Sequence, residues 1–140
     1  MKIETQLLLN IITPTRKIVE GKKVADIVFP APRGEIGLLS GHLPFLGFLG
    51  IGHLHYKVED QVFHTAIRNG FAEFHEDQLT VLAEEAALPN EIDPHTLREE
   101  LVHIEHQLGT KVLDEAAFAT LSEERRWLSA QIDVSIAASR

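Results

Sequence analysis

The stretch GEIGLLSGHLPFLGFLGIGHLH, residues 34–55, gathers glycine and proline turn signals and three of the chain's eight histidines in one short span. Such a density fits either a catalytic or metal-binding loop or a contact surface that needs tight turns. On its N-terminal side, residues 7–12 read as a strand stopped at Thr13-Pro14, where proline removes the N–H that a sheet ladder uses. Residues 17–20 run into a turn at Gly21-Lys22, and residues 24–29 end at Pro30. On the C-terminal side, apolar or alternating runs at 54–58, 62–68, 71–75 and 79–83 are separated by turn signals at Glu59-Asp60-Gln61, Asn69-Gly70 and Glu76-Asp77. Asn69-Gly70 predicts a tight turn because both residues tolerate positive φ. Many short strands at this spacing predict an antiparallel sandwich or barrel.

After Pro89 the texture changes. Asp93 followed by Pro94 predicts a helix start, a carboxylate cap and then proline where its missing N–H costs nothing. Leu97, Leu101, Ile104 and Leu108 form one apolar stripe, and Gly109 ends the helix. A second helix begins near Asp114-Glu115, which suit the positive end of a helix dipole, and carries Ala117, Leu121, Leu128 and Ile132 towards one side. The short connection makes the pair an antiparallel hairpin. The fold class is therefore α+β: an antiparallel, barrel-like β-sandwich over residues 1–87, then a C-terminal α-helical hairpin over residues 88–140. The alanine-rich second helix buries little area per turn, so the hairpin is expected to dock reversibly and to be more mobile than the sandwich.

Composition narrows the function. A chain of 140 residues, 44% hydrophobic, has enough apolar surface for a core without disulfides. With no cysteine, thiolate metal sites and cysteine nucleophiles are excluded, which is compatible with a reducing compartment. A net charge of -8 and no basic run longer than a pair argue against nucleic acid as a partner. The N-terminal MKIETQLLLNIITP lacks a basic region and a cleavage site and reads as a strand, not as a signal peptide. No run reaches the roughly 18 apolar residues of a spanning helix, so work at a membrane requires another protein to hold the chain there.

Several constellations carry chemistry or a plainer reading. His53, His55 and Glu59 follow most of the first metal motif of the cupins, and on one strand all three share a face suited to iron, manganese or zinc. The motif's closing glycine falls at Ala66 and its second half has no counterpart, so a solvated or interface strand competes with this alternative. His103 and His106, at i and i+3, are either a chelating pair or part of the polar face shared with Glu99, Glu100 and Glu105. Gly34-Glu35-Ile36-Gly37 lacks the lysine of a phosphate loop and predicts a tight turn. Arg125-Arg126-Trp127 is either a salt-bridged helix face with Glu123-Glu124 or an anchor for an acidic partner.

The order of pieces resembles the epsilon subunit of rotary ATP synthases. Residues 34–46 are similar to that family's Gly-Glu-x-Gly-Ile-Leu-Pro-Gly-His-Ala-Pro-Leu-Leu signature. Ile11-Ile12-Thr13-Pro14 resembles its first strand, and the segments 69–74 and 79–86 its second block. The resemblance implies a non-catalytic central-stalk subunit without a cofactor, joining the gamma subunit to the ring of c subunits. It also implies a peripheral position on the cytoplasmic face of a bacterial inner membrane, or the organellar equivalent. It implies ring and stalk-foot contacts through Arg33, Gly34, Glu35, Gly41 and His42. A hairpin contact with the alpha and beta subunits would run through Arg125, Arg126 and Trp127. Ser40 stands where the family usually has proline, so the loop is expected to be less rigid. Thr96 stands where an ATP-binding motif of some bacterial members has arginine, so nucleotide binding is not expected.

Overall fold

In a computed structural model, residues 6–140 are described; the part of the N-terminal strand reading that falls on residues 1–5 lies outside them. The strands among the described residues are β1 (Leu7–Ile12), β2 (Lys17–Ala31), β3 (Gly34–Leu38), β4 (Phe45–Val58), β5 (Gln61–His75) and β6 (Gln78–Ala87). A 3-10 turn at Pro89–Glu91 leads to helices α1 (Pro94–Thr110) and α2 (Glu115–Ala138). The sheet runs β1-β6-β5-β4-β2-β3, and a further β1–β2 pairing closes it into a barrel with β3 laid along β2. All pairings are antiparallel except β1 with β6. The interior is a single apolar cluster in which Leu9, Ile11, Ile27, Leu54, Ile67, Leu79 and Val81 are fully excluded from water.

Two predicted turns are strand instead. Gly21 lies inside β2, where the β1–β2 register slips between Leu9 and Ile11, and its N–H donates to Asn10 Oδ1 at 2.7 Å. The glycine marks a bulge, not a chain reversal. Asn69-Gly70 lies inside β5, with φ of +54° and +117°. The register against β4 and β6 is the same on both sides of the dipeptide, so no residue is inserted. What changes is the face. Phe63 and Ile67 point into the core before it, Ala72 and Phe74 after it. On β4 the inward set passes likewise from Phe45 and Leu49 to Leu54 and Tyr56, and on β6 from Val81 and Ala83 to Ala86. A Cβ at position 70 would lie 1.9 Å from the Leu82 carbonyl oxygen, and one at Gly50 2.7 Å from that of Ala31. The tight hairpins at Glu59-Asp60 and Glu76-Asp77 are as predicted, with positive φ at Glu59, Glu76 and Asp77.

The helices begin where the capping residues place them. Asp93 accepts from the His95 N–H and Asp114 from the Ala117 N–H. Leu97, Leu101, Ile104 and Leu108 are all half-buried, the single stripe expected, while the first helix runs on through Gly109 to Thr110. Helix α1 buries no residue completely; α2 buries Trp127, Leu128, Ala130, Ile132 and Val134. Trp127, Ala130 and Val134 pack on Ala66, Ala87 and Ile92 of the barrel and its link, a seam of three alanines with Trp127, Val134 and Ile92. The link is stapled by Arg16, whose guanidinium holds both carboxylate oxygens of Glu91.

One buried-edge cation ties α2 to the barrel. Arg68 on β5 reaches Glu123 Oε1 at 3.3 Å, Glu124 Oε2 at 3.1 Å and Glu85 Oε2 at 3.5 Å, with Asn69 Nδ2 donating to Glu123 at 2.8 Å. The guanidinium also stands 6.0 Å over the Trp127 ring. Burial works against its charge, but Glu124, Glu123 and Glu85 outweigh that and hold its pKa above the ordinary arginine value.

Gly70→Ala is expected to cost the barrel about 3 kcal/mol or more, through a clash with backbone at a left-handed φ. Urea unfolding reads it, and an unchanged midpoint would show that β5 and β6 can part there freely. Arg68→Ala should weaken docking of α2 by about 1–2 kcal/mol. Faster amide exchange in α2 with an unaltered barrel is the expected sign; equal exchange would remove the latch.

Candidate docking surface

The change of face at residues 49–51 and 68–70 divides the outside of the barrel in two. On one side Ile51, Ala66 and Ala87 point outwards under α2. On the other, nothing among the described residues covers Leu46, Phe48, Phe71 and Leu82, which are 72%, 65%, 48% and 48% exposed. Register makes them one band. Phe48 pairs with Phe71, Phe71 with Leu82, and Leu82 with Ile12, so the band crosses β4, β5, β6 and β1. The Phe48 and Phe71 rings stand 5.0 Å apart. A shallow cleft beside them is lined by Ile12, Pro14 and Glu84. A contiguous exposed apolar face of this kind marks a contact surface.

The residues singled out around the opening stretch do not form one loop. Gly34 to Gly37, predicted as a tight turn, lies in strand β3, paired from Ala31 with Gly34 to Ile27 with Leu38. Strand β2 gives it a partner that local turn signals do not reveal. Arg33, Gly34 and Glu35 are exposed at the β2–β3 reversal. Gly41 and His42 sit past the other end of β3, which spans roughly 13 Å at about 3.3 Å per residue.

The second end is anchored. The Asp77 carboxylate, in the β5–β6 turn, accepts from the Gly41 N–H and the Ser40 hydroxyl, each at 2.8 Å. These two bonds, the Gly41 one foremost, hold its pKa below the usual aspartate value. Ser40 thus ties the segment down by a hydrogen bond where a proline would stiffen it through its ring. The His42 ring stands edge-on to Phe45 and Phe74 at 5.8 and 5.9 Å. Leu39 and Leu43 beside it are 62% and 78% exposed, so the tip presents apolar side chains on a fixed frame.

On the hairpin, Arg125 and Arg126 are exposed and have no ion-pair partner among the described residues, because Glu123 and Glu124 are taken by Arg68. They line a cleft with Glu105 and Asp133 next to Gly52. Trp127 is buried in the seam, so it meets a partner only when α2 leaves the barrel. Thr96 donates its hydroxyl to Asp93 at 2.7 Å and serves the helix cap.

The metal alternative fails on geometry. Glu59 sits in the β4–β5 turn with φ of +58°, off the face of His53 and His55. The third neighbour is His64 of β5, whose Nδ1 lies 2.6 Å from His53 Nε2. Two nitrogens on one tetrahedral zinc stand about 3.3 Å apart, and these two are bonded to each other. His103 and His106 are exposed on α1, and among the described residues no group of three or more histidine or acidic side chains is placed to hold a metal.

Arg68, Asp77 and the apolar band escaped sequence reasoning. For the band a signal existed: in Phe71-Ala72-Glu73-Phe74 the two aromatic rings fall on opposite faces of a strand, so one must point outwards.

Comparison with known proteins agrees with this architecture. Residues 6–89 match the family described as ATP synthase, Delta/Epsilon chain, beta-sandwich domain. The ATP synthase epsilon chain of Solibacter usitatus is 36% identical over 128 residues, covering 89% of this chain and 95% of the relative. That of Nitratidesulfovibrio vulgaris strain DP4 is 38% identical over 107 residues, covering 76% and 79%. Among solved structures, a chain of the Euglena gracilis mitochondrial ATP synthase OSCP/F1/c-ring assembly shares the fold with a TM-score of 0.81 at 23% identity. That match covers 100% of this chain and 85% of the other. A chain of the Tetrahymena thermophila central stalk and c-ring does so with 0.60 at 12%, covering 99% and 100%. The chain therefore belongs to the epsilon-chain family of ATP synthase, an accessory and non-catalytic subunit of that complex.

Proposed function

We propose that the chain couples rotation by joining the gamma subunit to the ring of c subunits, as a peripheral component on the cytoplasmic face of the membrane or its organellar equivalent. The observation behind this is the uncovered band of Leu46, Phe48, Phe71 and Leu82 on a chain of this family. No helix among the described residues is long and apolar enough to cross a membrane, so attachment falls to protein contacts. The band meets gamma, where burial of two phenyl rings and two leucines supplies a lasting hydrophobic contact. The anchored tip with Leu39, His42 and Leu43, and the Arg33–Gly34–Glu35 reversal, face the ring. Glu35 is free to meet a basic loop residue and Arg33 an acidic one.

The hairpin supplies restraint of ATP hydrolysis. In the docked form Arg125 and Arg126 have no carboxylate partner among the described residues, and acidic residues of the alpha or beta subunits satisfy them when the hairpin extends. Extension opens the seam and the Arg68 latch, whose modest strength lets a partner shift the equilibrium.

Co-expression with gamma of the same organism, followed by size exclusion, tests the coupling role. The wild-type chain is expected to co-elute one to one, and Phe48→Asp with Phe71→Asp to weaken the complex at least tenfold with an unchanged circular dichroism spectrum. Full co-elution of that folded variant would place gamma elsewhere. For restraint, Arg125→Ala with Arg126→Ala should raise hydrolysis by the assembled enzyme severalfold; an unaltered rate would remove inhibition and leave coupling standing.

A further inference from the structure

Three imidazoles meet on the outer face of β4 and β5. His53 and His55 alternate along β4, His64 is the register partner of His55, and ring centroids are 4.8, 5.2 and 6.3 Å apart. This is the face that α2 covers. The register partner of His53 is Ala66, packed under Trp127, Ala130 and Val134, and Ile51 of the same row packs there too. At the other end His64 lines a groove closed by Ala137, Ala138 and Arg140. We propose that this cluster is an acid-sensitive latch, whose protonation releases the C-terminal hairpin from the barrel.

The geometry holds one arrangement of protons. His53 Nε2 and His64 Nδ1 are 2.6 Å apart, so one ring donates and the other accepts. One added proton gives an imidazolium that still donates to its neutral partner; a second leaves no acceptor between the rings and sets two cations in contact. No carboxylate lies within 4.0 Å of any of the three rings among the described residues, so the added charge finds no ion pair in the docked state. The charged groups around the cluster are of both signs and already placed. From β2 and β4, Asp26 and Lys57 pair with each other. From α2 and α1, Asp133, Arg125, Arg126 and Glu105 line the cleft at Gly52, and Asp60 and Arg140 the groove at His64. Arg68 of β5 holds Glu85, Glu123 and Glu124.

Burial, and then the neighbouring charges of His64 and His55, pull the His53 pKa down to about 4 from 6.5. Burial and His55 also lower that of His64. Ala66 and Ile51 beside His53 are packed by α2, so its withdrawal relieves part of the leading cause. The docked state therefore binds protons less well than the released one. Its histidine contribution is complete above about pH 6.5 and is lost as pH falls from there towards 4. Each proton taken up on release lowers the docking constant about tenfold per pH unit within that window.

Trp127 is the chain's only tryptophan and lies in the seam, so its emission reports the hairpin. In the full-length chain between pH 7.5 and 4, emission is expected to move to the red with a midpoint inside the window, while far-ultraviolet dichroism keeps the barrel signal. His53→Gln with His64→Gln should move that midpoint down by a pH unit or more, and His55→Gln alone by less. A midpoint unchanged in the double variant would overturn the latch and leave the transition to the Glu123 and Glu124 carboxylates. So would emission that stays blue to pH 4, or loss of the barrel signal at the same pH as the shift in every variant. If the double variant does not fold, His53→Gln alone carries the same comparison.

Discussion

Everything on the outside of this barrel depends on how closely β5 and β6 approach at Gly70. With the Leu82 carbonyl oxygen where a Cβ would be, and φ at +117°, only glycine fits. The two left-handed residues there turn β5 over without inserting a residue, and β4 and β6 turn over beside it. The sheet thus presents opposite sets of side chains inwards on either side of one line. Had the alternation simply continued, Phe71 would be buried and Ala72 exposed, and the uncovered aromatic band would not exist. The constraint is backbone packing, yet its product is a functional surface.

The local signals for helices proved sufficient because their causes are local. Asp93 and Asp114 satisfy N–H groups two and three residues away, and the stripe from Leu97 to Leu108 needs only helical spacing. Strand continuity was legible only in part. Asn69-Gly70 and Gly21 announce positive φ, which a hairpin turn, a kink and a bulge all require, and the choice among them is made by strands remote in sequence. Residues 34–37 read as a tight turn because glycine is a poor strand former in isolation. Gly50 is in β4 for the close approach of Ala31, nineteen positions earlier. The Arg68 latch was invisible for the same reason: its partners Glu123 and Glu124 lie 55 and 56 positions away. Sequence alone pairs those carboxylates with Arg125 and Arg126, their neighbours.

Side-chain size then sorts the two halves of the outer face between partners. Under α2 stand Gly52, Ala66 and Ala87, met by Ala130, and a helix needs such small residues to come close. Beyond the line stand Phe48, Phe71 and Leu82, too bulky for a close helix and rich in apolar area. At about 25 cal/mol per Å2, one buried phenylalanine outweighs several alanines. The uncovered face keeps the larger apolar area for a partner outside the chain.

A reversible contact also has to be specific, and apolar burial by itself is not. On the α2 side the specificity is polar. Arg68 accepts one position of Glu123 and Glu124, and Trp127 fills the space beneath the guanidinium. The three imidazoles lie on the same face as this ion-pair cluster, but they respond oppositely to acid. Acid takes a carboxylate's charge away, and with it the ion pair to arginine. Half-buried imidazole instead gains a charge that its docked surroundings hold poorly. In the latch proposed above, that charge opens the seam as protons rise. A thin seam with these polar supports is therefore more responsive than a thick apolar one, in which no group changes its charge near neutral pH.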